Sequence, residues 1–294
     1  MSKWVDKHAK WIYPLPTVIF ILLCVTYPLL YTLDLSFYDW GMSSIKPKEF
    51  IGIQNYIEIF SDSRFWDAFW RTIAYTVIAV SIETVFGIAI ALLLGKIKRA
   101  TGLIRTIFLL PMVATPVAVG IVWKLIYEPT IGLANMFLKA LGLPASTWLS
   151  GSDTVFQSLI IIDVWQWTPM IMLMVLAGIS GLSEDVFESA RVDGANERQL
   201  ITKIQLPLLA PTILMAVLLR VIDALKTFDI IYSTTSGGPG YSSENLNILS
   251  YRYAFEYFYM GKASALLVIF FVLVMAVAVV YMIVKNRIER RYET

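Results

Sequence analysis

Residues 188–207 read ESARVDGANERQLITKIQLP, a polar island between two long apolar segments. Just ahead of it, Ser183 followed by Glu184 and Asp185 reads as a helix start, with a hydroxyl to cap free N–H groups and carboxylates beside the positive end of the dipole. Gly194 reads as a stop, because the residue beyond a helix end often needs a positive φ that glycine adopts without steric cost. Asn196 is placed to cap a second short helix through Lys203, and Pro207 with Pro211 break the chain again before the next apolar run. The product is a short, charged helix-turn-helix held near apolar segments. Such a knob suits docking to a soluble partner.

The flanks set the class. With 57% hydrophobic residues, 16% charged and a mean hydropathy of +0.68, the composition is that of an all-α integral membrane protein. The uncharged run 263–284 is long enough to cross about 30 Å of hydrocarbon as a helix. Runs 12–31, 72–94, 106–123, 155–181 and 211–231 are less pure but long enough, which predicts six transmembrane helices. The first run exceeds a signal-peptide core and lacks a small-residue cleavage site, so it is expected to be retained.

Basic residues set the orientation. If the N-terminus is cytoplasmic, the inner segments hold Lys3, Lys7 and Lys10; Lys96, Lys98, Arg99 and Arg105; Arg191, Arg198 and Lys203; and Lys285, Arg287, Arg290 and Arg291. They outnumber the basic residues of the longer outer segments, so both termini and the 188–207 island are expected inside. Other classes are disfavoured. A net charge of +2 with no separate basic face gives no reason to expect nucleic acid. The single Cys24 and the single His8 are poorly placed for a metal centre or a Cys/His pair. The sequence has no GxxxxGK[ST] loop, so any ATP would be hydrolysed on another chain.

The pattern Glu188, Ser189, Ala190, Asp193 and Gly194, then Ile204, Leu206 and Pro207, resembles the cytoplasmic "EAA" loop of the membrane subunits of binding-protein-dependent ABC importers. That family has Ala where this chain has Ser189, a small-for-small change. Arg105 to Pro111 with Pro116 and Trp123, Gly132 with Asn135, Trp165 to Pro169, and Thr235 with Gly237, Gly238 and Pro239 are similar to punctuation of carbohydrate-type permeases, in particular the first permease of the maltose, polyol and glycerol-3-phosphate group. The resemblance implies a type I ABC importer permease fold in a bacterial plasma (inner) membrane. It divides the chain into a tail, first helix and outer loop (1–70), a transport core (71–284) with the coupling loop at 183–207, and a cytoplasmic tail (285–294). It also implies partners: a second related permease, a pair of ATP-binding subunits that hold ATP and Mg, and an extracytoplasmic solute-binding protein, with lipid around the helices and no cofactor on this chain.

Charges at bilayer depth are costly unless paired or facing a water-filled path. Arg220, Asp223, Lys226 and Asp229 recur every third residue with alternating sign, so each can pair with the next. At about 100° per residue the series rotates around the helix, so all four cannot line one pore. Arg220 or Asp223 is expected to approach a path, with Lys226, Phe228 and Asp229 shaping its outer mouth; a self-neutralising ladder is the alternative. Glu83 and Asp163 are also deep, and each could bond a sugar hydroxyl or pair with a base such as Arg220. Trp165 and Trp167 could stack on a sugar or belong to an interfacial belt, and residues 251–259 (YRYAFEYFY) read as belt or as a binding-protein contact. A different class, an ion-coupled secondary transporter using these charges as a relay, would show internal repeats and would not need the loop motif.

Overall fold

The computed structural model describes Trp11 and residues 13–42, 47–96 and 101–292, side chains of 101 and 288–292 excepted. Lys3, Lys7, His8, Lys10, Lys98 and Arg99, and the side chains of Arg290 and Arg291, lie outside the described residues. The first helix, α1 (Leu15–Leu35), carries a π-helical turn at Leu22–Thr26 just ahead of Pro28. A proline has no N–H for the carbonyl four residues back, and a wider turn absorbs the mismatch. A two-stranded antiparallel hairpin follows, β1 (Tyr38–Asp39) with β2 (Glu49–Phe50), then α2 (Gln54–Ser61).

The next helix, α3 (Ser63–Lys96), has 34 residues and so spans about 51 Å. It starts well before residue 72, where the apolar run places the second span. The Asp62 carboxylate accepts the Arg64 N–H at 2.9 Å, and Phe65 and Ala68 are buried, so capping and packing carry the helix into polar sequence.

The third apolar run is not one straight span. It divides into α4 (Thr101–Val113) and α5 (Pro116–Ile126), which meet at 94°. Pro116 drives Thr115 into extended geometry, and the Gln166 side-chain amide donates to the Ala114 carbonyl at 3.2 Å. Beyond lies α6 (Leu133–Ala140), where buried Asn135 donates to the Pro129 and Ser146 carbonyls and accepts from Ser146 N–H and Trp148 Nε1. In the turn before it, Glu128 accepts N–H groups from Ile131 and Thr130, which hold its carboxyl below the usual carboxylate range.

Apolar on every side, α7 (Val155–Ser180) is the central helix, with 61% of its most apolar stretch buried against 6% for α1. The polar island forms α8 (Glu184–Val192), followed by α9 (Glu197–Leu225), α10 (Asp229–Thr234), α11 (Leu246–Tyr251) and α12 (Met260–Tyr292). Two compact units result: residues up to Trp66 with Leu249–Val272, and Asp67–Ile248 with the residues from Leu273 on.

In the second unit, Ile171, Met172 and Val175 of α7 pack with Ala91 and Leu94 of α3 and Leu209 and Ala216 of α9. Glycine sets the closeness. A Cβ on Gly87 would stand 2.8 Å from Ile171 Cγ2 and 3.1 Å from the Met172 backbone nitrogen. Gly87→Val should therefore push α3 off α7 and cost about 1–3 kcal/mol, read as a lower unfolding temperature in detergent; an unchanged temperature would show that this helix contact is loose.

Candidate functional site

Two features carry the chemistry, the polar knob and the intramembrane charges. At the knob the helix starts where expected, with Ser183 in the N-cap position and Glu184 and Asp185 in the first turn, but the Ser183 hydroxyl bonds the Asp185 carboxylate at 3.3 Å and caps no N–H. The far end is built as the sequence suggests. Gly194 takes φ +85°, its N–H donates to Arg191 O at 3.0 Å and the Ala195 N–H donates to Ala190 O at 2.9 Å, closing α8 in a Schellman turn.

Asn196 then opens α9 through a reciprocal cap. Gln199 N–H donates to Asn196 Oδ1 at 3.0 Å, and Asn196 N–H donates to Gln199 Oε1 at 2.9 Å. The second helix does not end at Lys203. It runs through a π-helical stretch, Leu200–Gln205, that accommodates Pro207, and Pro211 lies inside the helix, so neither proline breaks the chain. The knob thus joins the fifth span rigidly.

Glu188, Ser189, Asp193 and Gly194 are exposed, while Ala190, Ile204, Leu206 and Pro207 are half-buried. Val192, an apolar side chain at the tip, is 87% exposed. Behind the knob is a cavity of about 700 Å³ lined by Lys96, Arg105, Glu188, Arg191 and Glu197 among others. Lys96 of α3 meets Glu197 of α9 at 3.0 Å, and Arg191 of α8 reaches the same carboxylate at 3.7 Å. These exposed pairs steer geometry more than they add stability.

Deep in the bundle, Arg220 of α9 is fully buried and joins three helices. Its Nε and Nη2 donate to the two carboxylate oxygens of Glu83 on α3 at 2.7 and 3.1 Å, and Nη2 also donates to Asp163 on α7. Nη1 donates to Asp223, which is 46% exposed, at 3.3 Å. The Trp167 ring lies 5.3 Å from the guanidinium. Glu83 and Asp163 are both buried against Arg220.

The alternating ladder stops after its first pair, because α9 ends at Leu225. Lys226 is its C-cap, Asn247 donates to the Leu225 carbonyl at 3.0 Å, and Asn245 donates to the Thr227 carbonyl. Phe228 is half-buried and stacked on Tyr232, and Asp229 opens the separate helix α10. These two contacts carry no sequence signal, since the carbonyls lie 18 or more residues away, although Asn245 also accepts the Ile248 N–H at 2.9 Å at the start of α11. The two tryptophans also part. Trp165 packs edge-on against Trp123 at 5.6 Å, while Trp167 faces Arg220.

Residues 61–294 match the family described as binding-protein-dependent transport system inner membrane component. The chain belongs to that family. Over 286 residues it is 34% identical to the trehalose/maltose transport system permease protein MalF of Thermococcus litoralis, covering 96% of this chain and 95% of that one. Over 284 residues it is 31% identical to the sulfoquinovosyl glycerol transport system permease protein SmoG of Agrobacterium fabrum, covering 96% and 92%. Its fold matches the crystal structure of a bacterial ABC transporter involved in the import of the acidic polysaccharide alginate, with TM-score 0.85, 22% identity and coverage of 97% and 98%. The chain is a multi-pass inner-membrane permease subunit with the type I ABC importer fold, and a conduit rather than an enzyme.

Proposed function

We propose that this permease forms part of an ATP-driven path for a sugar or sugar derivative delivered by an extracytoplasmic binding protein, beside a second related permease. The substrate class rests on the carbohydrates for which MalF and SmoG are named. ATP and Mg would be held by a separate pair of ATPase subunits. The face made by Glu188, Ser189, Ala190, Asp193, Gly194, Ile204, Leu206 and Pro207 would take up their motion, with both termini on the same cytoplasmic side. One observation carries the coupling role: the Gly194 turn that closes α8 and the reciprocal Asn196 cap that opens α9 build a preformed face on which Glu188, Ser189, Asp193 and Gly194 are exposed.

Motion of that knob passes into α9 across the short Gly194 turn, beyond which the helix runs unbroken from Glu197 to Leu225. Within the membrane we assign Glu83, Asp163 and Arg220 to holding α3, α7 and α9 together. Asp223, Lys226, Phe228 and Asp229 then remain for the path and its rim, and Trp165, packed on Trp123, for an aromatic surface. The test is reconstitution with the ATPase and binding protein in vesicles. Uptake should require ATP and loaded binding protein. Uptake by the permease alone, driven by a proton gradient, would replace this reading with the ion-coupled carrier.

A further inference from the structure

In the first compact unit a cavity of about 400 Å³ is lined by Asp39, Trp40, Gln54, Glu58, Tyr259 and Lys262 among others. The backbone fixes its walls. Gly261 N–H donates to Trp40 O at 3.1 Å, Met42 N–H donates to Phe258 O at 3.0 Å, and Gly41 bridges Tyr259. A Cβ on Gly261 would stand 2.0 Å from Tyr38 O, so only glycine lets the two segments approach this closely. Beneath, buried Asn55 donates to the Ser36 and Tyr38 carbonyls at 2.9 and 3.0 Å, locking β1 onto α2. The pocket is therefore formed before any ligand arrives.

Its chemistry is mixed. Trp40 and Tyr259 supply aromatic surface on the two clamped segments. Asp39 offers a carboxylate, while Gln54 and Lys262 reach Glu58 only at 3.4 and 3.5 Å, long contacts that a competing hydroxyl can displace. Asp39 and Glu58 against Lys262 leave one excess negative charge, which disfavours anionic ligands.

We propose that this cavity binds one unit of a neutral saccharide, its C–H face on the aromatic rings and its hydroxyls on Asp39, Gln54 and Glu58. The volume fits a small polyhydroxylated ring, and a site of this size combines apolar surface with few polar anchors. The site is separate from the coupling knob, so its test does not depend on ATP-driven transport.

Saturation-transfer NMR on the full permease in nanodiscs, with maltose and trehalose as neutral probes and galacturonate as the anionic one, reads the site directly. Wild type should give transfer to the neutral probes and little to galacturonate, and Asp39→Asn and Trp40→Ala should each weaken neutral-sugar binding at least about tenfold. Thermal unfolding of both variants near wild type would tie the loss to the pocket. Equal binding in wild type and variants, stronger binding of galacturonate, or no neutral-sugar transfer in wild type would overturn the assignment. So would a Trp40→Ala variant that keeps sugar transfer and loses stimulation by the binding protein, which would make this face a protein-docking surface.

Discussion

Arg220→Met should be the most damaging single substitution in the membrane interior, lowering stability by about 3–5 kcal/mol, the usual cost of stripping one partner from a buried ionic set. The guanidinium is fully buried and donates to Glu83 and Asp163, so its loss strands two buried carboxylates with no other cation beside them among the described residues. Methionine keeps most of the volume, which separates charge loss from cavity formation. The triple variant Arg220→Met, Glu83→Gln, Asp163→Asn should recover much of the loss, since removing every charge of a buried set is far milder than removing one. Asp223→Asn should cost little, because that carboxylate is half-exposed. Thermal unfolding in detergent measures all three. An Arg220→Met single variant as stable as wild type would mean the cluster does not hold the helices together.

Much of the fold lies open to a reader of the sequence because it follows from local properties. Runs of apolar residues show where the long helices lie, and Gly194 and Asn196 act within a few residues of themselves, so the knob's far end is readable. Other features are harder to read. The 94° bend at Ala114 and Thr115 arises because Pro116 imposes an extended neighbour inside an apolar run, which hydropathy cannot register. The π turns ahead of Pro28 and Pro207 keep helices running where a proline reads as a stop. The end of α9 depends on Asn245 and Asn247, 18 or more residues further on, and the pairing of Glu83 and Asp163 with Arg220 is one of two readings that the charges allow, which only the packing of three helices selects. Periodicity shows which face of a helix a charge occupies. It does not show which neighbouring helix meets that face.

Gly194→Asp should give the opposite signature to Arg220→Met, leaving the fold near wild type while stimulated ATPase activity of the assembled complex falls at least about tenfold. The fold survives because a Cβ at Gly194 meets nothing within 4 Å, so the cost is confined to holding a non-glycine residue at φ +85°, about 1–2 kcal/mol. Coupling suffers because the new carboxylate stands beside Asp193 on the exposed face, where a docked partner would have to bury it unpaired, a cost of about 2–5 kcal/mol. Gly194→Asn provides the control. Asparagine tolerates the left-handed region and adds no charge, so it should keep most of the stimulation. The comparison also tests how force travels. From Glu197 to Leu225, α9 is one helix of 29 residues, about 44 Å long, carrying the knob's exit at one end and Arg220 near the other. A rod of that kind transmits whatever the knob receives, so uncoupling should come only from lost docking, with the ionic clasp intact. If Gly194→Asp shows normal stimulation, the partner does not engage this face, and the coupling role assigned to residues 188–207 must be given up.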